Sequence, residues 1–270
     1  NHPYKYGYGK LMHSGYHFVD LFAWLAQVNF SLKNAKPNLS KIYTARFTPN
    51  DLFNQINEKA YEKFFNQAAI KDFYQKYNRQ NYENFGELDA YILVQLLQDK
   101  NVITTGSINL QQNSFSRRSW FDLPEDTYKG NGRVRHERVN IQVSHFLNIQ
   151  VHSYQSYESN KEISRAGTIG SEDHFDIFIF RNKKIVGGEA FQKISIGGNM
   201  RKENQEDSYY LGHNERAREE TFLSFIENKN DESEFSHHDL TNQLLSNIYV
   251  SIAKGANDGD PQLISKIQNM

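Results

Sequence analysis

The feature that most constrains the fold is a set of short β-type segments separated by turn residues. Tyr91–Leu97 and Val102–Leu110 flank the turn-forming stretch Asp99–Asn101, and Phe175–Phe180 and Ile185–Val186 flank a second polar turn. Strands joined by such short turns pair antiparallel. Alternation of apolar and polar residues predicts further strands at Lys41–Phe47, Leu147–Tyr154 and Phe191–Ile196. The chain is therefore expected to build a mainly antiparallel sheet.

Helical periodicity lies on both sides of these segments. Apolar residues recur at spacings of three and four over roughly residues 14–28 and predict an amphipathic helix. Near the end of the chain we predict one helix over Asn214–Glu227 and another from a Ser236-x-x-Asp239 capping signature to about Gly255. The predicted fold class is α+β, with one mixed, mainly antiparallel sheet and helices packed on one face.

The length fits one large domain or two small ones, and we expect a single domain over residues 1–270. The chain has 270 residues, 38% of them hydrophobic, which is enough to bury a substantial core. Two stretches depart from the sheet pattern. Residues 50–84 are rich in Asn, Gln, Lys and Phe and indicate a helical excursion. Residues 113–138 are a long basic loop, and loops of that length inside a compact domain are usually functional or mobile.

The charge balance and the cysteine count exclude several classes of protein. Lys and Arg number 31 against 32 Asp and Glu, so no global field attracts the chain to nucleic acid or to an anionic membrane. The absence of Cys excludes disulfides and thiolate chemistry. No apolar run reaches the roughly 18 residues of a membrane-spanning helix. We therefore expect a cytoplasmic protein with neither a nucleic-acid nor a membrane partner.

The stretch Gly9–Asp20 is the most informative for chemistry. If a helix begins near its middle, spacings of four, three and four residues put on one stripe His13, His17, Asp20 and Trp24. Imidazole exchanges protons near neutral pH, and a carboxylate one turn away can fix its tautomer. The same spacing also suits a His that packs at a helix start and an Asp that is merely solvated. The pattern by itself leaves both interpretations open.

Several residues of this stretch match the pattern of a known family. They are Gly9, Leu11, Gly15, His17, Asp20, Leu21, Trp24 and Leu25. With them the stretch resembles the segment that opens the second domain of the Gfo/Idh/MocA-type oxidoreductases, the glucose-fructose oxidoreductase and inositol dehydrogenase family. That family commonly has Asp four residues before its His, where this chain has His13. The resemblance covers most of residues 9–255 as architecture and residues 9–25 as a sharp motif.

The resemblance implies a function for the chain. It makes this chain the substrate-binding and oligomerisation half of an oxidoreductase that uses NAD or NADP and acts on a sugar, a polyol or a related hydroxyl or carbonyl compound. The family's nucleotide-binding domain, with its Gly-rich loop and Glu-Lys-Pro segment, is not found in this sequence, which starts with Asn1. We therefore expect that domain upstream. The sheet face without helices implies a homo-oligomer.

The resemblance also implies a role for His17, because it aligns with the family's proton-transferring His. On this hypothesis we expect His17 to be the general base when the hydroxyl is oxidised, His13 to orient it or share the proton, and Asp20 to tune it. The candidates for substrate binding are Tyr16, Lys10, Arg117 and Arg118.

The basic loop at 113–138 permits three interpretations. Arg117 and Arg118 lie among aromatic residues, a mixture that can bind phosphates and stack bases. They can equally bind an anionic sugar or a carboxylate through paired guanidinium hydrogen bonds, or form ion pairs with acids such as Glu125 and Asp126. The neutral net charge disfavours nucleic acid.

Two other functions are left open by the sequence. The chain can be a non-catalytic ligand-binding or oligomerisation module in which the His pair is structural. It can also be a metal-dependent hydrolase or lyase, since His13 and His17 have the helical spacing of a zinc pair. Ser14–Tyr16 stands where a metalloprotease has its Glu, so we predict no metal site. No Gly-x-Ser-x-Gly segment occurs, which excludes the serine-hydrolase elbow.

Overall fold

Two separate antiparallel sheets organise the fold. The structure, a computed structural model, describes residues 6–55, 58–64, 68, 71, 82–111, 134–156, 174–195, 213–227 and 234–268. Over these residues the α+β prediction is confirmed, because helices accompany two four-stranded antiparallel sheets. The expectation of one sheet is wrong, since each set of four strands forms hydrogen bonds only within itself. The chain correspondingly divides into two compact units, one spanning Asn113–Leu223 and the other formed by the segments on either side.

Helices are concentrated near the two ends of the chain, and most of the strands follow one another in its middle. A short π-helical segment, Leu11–Gly15, leads directly into α1. The helices are α1 (Tyr16–Lys33), α2 (Pro49–Gln55), α3 (Glu58–Phe64), α4 (Lys183–Val186), α5 (His213–Ile226) and α6 (Asp239–Ala256), and a 3₁₀ turn (Phe235–His238) precedes α6. The strands are β1 (Leu39–Phe47), β2 (Asp89–Gln98), β3 (Asn101–Leu110), β4 (Val134–Val143), β5 (Leu147–Ser156), β6 (His174–Arg181), β7 (Phe191–Ser195) and β8 (Leu263–Lys266).

The first sheet has the order β3-β2-β1-β8 and carries the main core. Side chains alternate between the two faces of a strand, and on one face of β1 and β2 every second residue is buried. These residues are Ser40, Ile42, Thr44, Ala90, Ile92, Val94 and Leu96. Both α1 and α6 contribute to the same core through Val19, Ala23, Leu244 and Ile248. The helices therefore cover this face, as the sequence predicts.

The opposite face of the first sheet is only partly covered. Tyr43 on β1 pairs with Leu93 on β2, and Lys41 pairs with Ile264 on β8. The side chains of Tyr43, Leu93 and Ile264 are 50%, 46% and 58% exposed. We call these three residues the open face.

The second sheet is a meander with the order β4-β5-β6-β7. Its register gives the two faces different chemistry. One face is aliphatic and comprises Val139, Ile141, Val143, Leu147, Ile149, Val151, Ile177, Ile179 and Ile194. The other combines amides with phenyl rings, and Asn148 Nδ2 donates to Asn140 Oδ1 and to Gln142 Oε1, each at 2.7 Å.

The structure corrects several predicted boundaries. Ile185–Val186 is not a strand but belongs to α4, because the Asn182 side chain accepts from Lys184 N and starts a helical turn; β7 takes the place beside β6. Ser236 does not cap the last helix, which begins at Asp239 after the 3₁₀ turn. The last residues of the predicted basic loop belong to β4. The short strand β8 was not predicted.

Two predicted stretches are described only in part. The helical excursion at 50–84 contains α2 and α3, while most of residues 65–81 lie outside the described residues. Residues 112–133 also lie outside them. Within the described part of the chain, no helix has both the length and the apolar composition that crossing a membrane requires.

Candidate functional site

The segment that enters α1 is held against a buried carboxyl group. Leu11 N donates to Glu87 Oε1 at 2.7 Å, and Lys10 N donates to the carbonyl of Glu87 at 2.9 Å. A Cβ at Gly9 would overlap the Glu87 carboxylate, and one at Gly86 would overlap the backbone of Gly9. The two glycines are therefore required by close packing of two chain segments.

Burial dominates the electrostatics of Glu87. It raises the pKa of this carboxyl above its ordinary value, and the backbone amides of Leu11 and Glu87 and the charge of Arg46 offset only part of the rise. Burial, and then the charge of Glu87, also raises the pKa of Tyr249 on α6. The carboxyl thus lies between the start of α1 and the last helix.

The same contacts decide whether this segment can hold a dinucleotide. A pyrophosphate cradle needs backbone N–H groups that face the ligand and glycines that leave it room. Here the N–H groups of Lys10 and Leu11 donate to Glu87, and the Glu87 carboxylate fills the space beside Gly9. The glycines at this end of α1 therefore do not fit NAD or NADP.

A cluster of polar side chains joins α1 to the residues around the start of α6. Tyr16 Oη lies 2.9 Å from His238 Nδ1, and the same nitrogen lies 3.2 Å from Asp20 Oδ1. Thr241 Oγ1 donates to Asp20 Oδ1 at 2.7 Å. Tyr16 and Asp20 are one helical turn apart, so both reach the same side of α1. We call these four residues the Tyr16 cluster.

One turn further along α1, another side chain of the helix contacts the 3₁₀ turn that precedes α6. The ring of Trp24 lies edge-on to that of His237, with centroids 6.1 Å apart. The adjacent residues His237 and His238 thus contact different turns of one helix.

The predicted catalytic residues are distributed around the Tyr16 cluster. His17 is exposed, and its ring lies edge-on to that of Tyr16 with the centroids 6.0 Å apart. His13 is half-buried, and its ring lies 6.3 Å from that of Tyr8. Among the described contacts, Asp20 bonds to residues of the C-terminal region and not to His17. The residues of the predicted stripe on α1 therefore contact different neighbours.

Burial raises the pKa of the Tyr16 phenol above its ordinary value, and the negative charge of Asp20 raises it further. The phenol accordingly keeps its proton at neutral pH. It can donate a hydrogen bond but does not act as a phenolate.

The predicted substrate-binding residues fall into two groups. Tyr16 belongs to the cluster, and the backbone of Lys10 lies one helical turn before Ser14, whose Oγ donates to its carbonyl at 3.3 Å. Arg117 and Arg118 lie outside the described residues. Within the described residues, no group of three or more His, Cys, Asp or Glu side chains is placed to hold a metal ion.

Sequence reasoning missed three residues of this region: Glu87, His238 and Thr241. Only His238 gave a signal, as part of an adjacent His pair just before a predicted helix. The contacts of Glu87 and Thr241 span more than 70 residues of sequence, and no local pattern predicts them.

Comparison with known proteins adds no relative. No family model matches the chain, and neither a curated protein nor a solved structure matches it.

Proposed function

We propose that this chain is the substrate-binding half of an NAD- or NADP-dependent oxidoreductase that acts on a sugar, a polyol or a related hydroxyl compound. The observation that carries the proposal is the exposed imidazole of His17 in the first turn of α1. His17 lies within the motif that resembles the Gfo/Idh/MocA-type oxidoreductases. A base must reach the proton that it removes, and His17 is accessible to a ligand from outside the protein.

The residues around His17 support this role in different ways. The ring of Tyr16 lies nearly perpendicular to the imidazole, with the centroids 6.0 Å apart, and such a contact favours one orientation of the imidazole. Asp20 acts on His17 only indirectly, because its carboxylate is engaged by His238 and Thr241. Hydride acceptance is the chemistry that NAD or NADP supplies when it is bound, and the expected upstream domain would hold it.

The test uses the full-length enzyme that the proposal expects, in which an upstream nucleotide-binding domain is joined to this chain. Hexoses and inositols are oxidised with NAD⁺ and NADP⁺, and the fastest substrate is used to compare variants. His17→Ala should lower kcat by about 100-fold or more, the scale of a positioned acid or base. His145→Ala is the matched control, because His145 is exposed in the turn between β4 and β5. Unchanged turnover in His17→Ala would refute the proposal.

We further propose that the open face forms a homo-oligomer contact. Half-exposed aromatic and aliphatic side chains on one face of an antiparallel sheet form a surface that a second copy of the chain can cover. The support is the exposure of Tyr43, Leu93 and Ile264 on neighbouring strands.

A second candidate function is a non-catalytic module in which the His residues are structural. It is favoured by the Tyr16 cluster itself, since His238 joins α1 to the start of α6 as a structural cross-link would. The two candidates differ upstream of Asn1. An oxidoreductase should have there a Gly-rich βαβ start and a Glu-Lys-Pro segment, whereas a non-catalytic module needs neither.

A further inference from the structure

One ring nitrogen in the Tyr16 cluster lies between two oxygens. His238 Nδ1 is 2.9 Å from Tyr16 Oη and 3.2 Å from Asp20 Oδ1. His238 immediately precedes α6, yet its side chain makes no capping bond to that helix. The His238 side chain therefore forms hydrogen bonds with α1 and does not cap α6.

The position of Asp20 determines which tautomer of His238 is stable. A carboxylate accepts hydrogen bonds and donates none, and Asp20 Oδ1 already accepts from Thr241 Oγ1. A lone pair on Nδ1 would face this negative oxygen and be repelled by it. A proton on Nδ1 makes the contact attractive, as for a His oriented by a carboxylate. The contact with Asp20 therefore favours the tautomer of His238 that carries its proton on Nδ1.

This tautomer has a consequence for the Tyr16 hydroxyl. A protonated Nδ1 cannot accept a hydrogen bond from the Tyr16 hydroxyl. The phenol oxygen can therefore only accept a hydrogen bond from Nδ1–H, which it shares with Asp20. The hydroxyl proton itself then has no acceptor among the described residues. Tyr16 is half-buried, and its ring adjoins the exposed His17. The ring of Tyr16 thus lies beside the proposed base, His17, with the two ring centroids 6.0 Å apart.

We propose that Tyr16 donates a hydrogen bond to the reacting oxygen of the substrate, and that His238 and Asp20 are positioning residues that keep its proton available. The inference rests on the proposed function and deepens it by naming the group that faces a carbonyl or alkoxide oxygen. Such a donor acts most strongly when negative charge develops on that oxygen. The raised pKa of Tyr16 agrees, because the phenol stays protonated at neutral pH.

The first test measures the tautomer and needs no substrate. The chain is labelled with ¹⁵N-histidine, and long-range ¹H–¹⁵N spectra at pH 8 are assigned for His238 by comparison with His238→Asn. We expect the pyrrole-type shift at Nδ1 and the pyridine-type shift at Nε2. Asp20→Ala should reverse or mix the two, whereas His145, which has no carboxylate among its described contacts, should not change. A pyridine-type Nδ1 in the wild-type chain would overturn the inference.

The second test measures the donor in the full-length enzyme, in the direction of carbonyl reduction. Tyr16→Phe should lower kcat about tenfold with little change in KM, because the bond strengthens in the transition state. Tyr43→Phe on the open face is the matched control. His238→Ala should reproduce the loss, and His238→Asn should restore it in part because its amide N–H can replace Nδ1–H.

The two proposals fail in different ways. A wild-type enzyme without hydride transfer would overturn the oxidoreductase and the role of Tyr16 with it. An active enzyme whose kcat is unchanged by Tyr16→Phe would overturn only the present inference. An equal loss in His238→Ala and His238→Asn would show that His238 does not act through its Nδ1 proton.

Discussion

At the scale of single residues, Glu87 shows how one buried carboxyl fixes the start of the first helix. Its side chain accepts from Leu11 N and fills the space beside Gly9. A carboxyl in this environment is more easily kept protonated than one in water, so its pKa is raised. Folding and proton binding at Glu87 are therefore linked.

The linkage predicts how stability depends on pH. The raised pKa means that the native state binds the Glu87 proton more tightly than the unfolded chain does. The contribution of Glu87 to the free energy of unfolding is thus fully present below the unfolded pKa of about 4.3 and is lost as pH rises through the folded pKa. Glu87→Gln keeps an acceptor for Leu11 N and cannot ionise. It should be more stable than wild type at pH 7, with a flatter pH profile.

Urea unfolding between pH 4 and pH 8 checks this expectation. Glu83→Gln is the matched control, because Glu83 is exposed on the same connection. If the free energy of unfolding changed with pH in the same way in wild type and in Glu87→Gln, ionisation of Glu87 would not be the cause of the pH dependence.

The packing of Gly9 gives a second prediction at this scale. Gly9→Ala places a methyl group where the Glu87 carboxylate lies, and overpacking of this kind costs about 1–3 kcal/mol. In a Glu87→Ala background the same change should cost much less, since the obstructing group is gone. A double-mutant cycle from denaturant unfolding measures the difference, and additive effects would exclude the contact as the reason for the glycine.

At the scale of elements, α6 is one of the two helices that cover the buried face of the first sheet. Leu240, Leu244 and Ile248 recur every fourth residue and are buried against the sheet. Thr44 Oγ1 and Ser251 Oγ lie 2.8 Å apart in the same buried layer, and Asn247 Nδ2 donates to the buried Ser40 Oγ at 3.3 Å. The helix therefore docks through an apolar stripe and through hydrogen bonds to β1.

This packing predicts a strong contrast between two positions of α6. Ile248 is fully buried, and Ile248→Ala should reduce the free energy of unfolding by about 2–5 kcal/mol through lost burial and a cavity. Val250→Ala removes a similar group from a half-exposed site of the same helix and should cost less than about 1 kcal/mol. Thermal or urea unfolding measures both, and equal costs would show that α6 does not form the core as described.

The same elements show what the sequence can and cannot predict. The stripe of α6 and the hairpin of β2 and β3 depend on periodicity and local turns, and both were predicted close to their observed bounds. The Ser236 cap was wrong because a 3₁₀ turn intervenes before the helix. The strand β8 was missed because four residues give too short a pattern, and its place is set by pairing with β1.

The candidate site was predictable only along α1. His17 and Asp20 follow from spacing, but the partners of Asp20 are His238 and Thr241, more than 200 residues away. No local rule brings such segments together. The tertiary fold does so, by packing α6 beside α1 in one core.

At the scale of the whole molecule, the chain divides into two units, each of which contains one of the two sheets. The unit that contains the sheet β3-β2-β1-β8 presents the open face, where Tyr43 and Leu93 form a cross-strand pair. Cross-strand aromatic and aliphatic pairs stabilise a sheet and provide a flat apolar surface for a partner. The proposed homo-oligomer would bury this surface.

A charge on the open face should separate the subunits without unfolding them. Leu93 is half exposed, so Leu93→Glu can reach solvent in a monomer but would be desolvated in the contact. We expect the mass of the particle at micromolar concentration to fall to that of one chain, measured by sedimentation equilibrium. Leu32→Glu is the control, because Leu32 is an exposed residue at the end of α1 and should leave the mass unchanged. If Leu93→Glu left the oligomer unchanged, the subunits would not contact each other through the open face.

The pairing of β1 with β8 has a consequence for synthesis of the chain. Leu39–Ile42 pair with residues 263–266, so one edge of β1 has no β8 partner until the ribosome has translated more than 200 further residues. At about 5–20 residues per second, that edge stays uncovered for on the order of ten seconds or more. Nascent polypeptides on one messenger can associate through such an edge. Correct folding of the first sheet therefore requires that this edge stay unpaired with other chains until β8 has been synthesised.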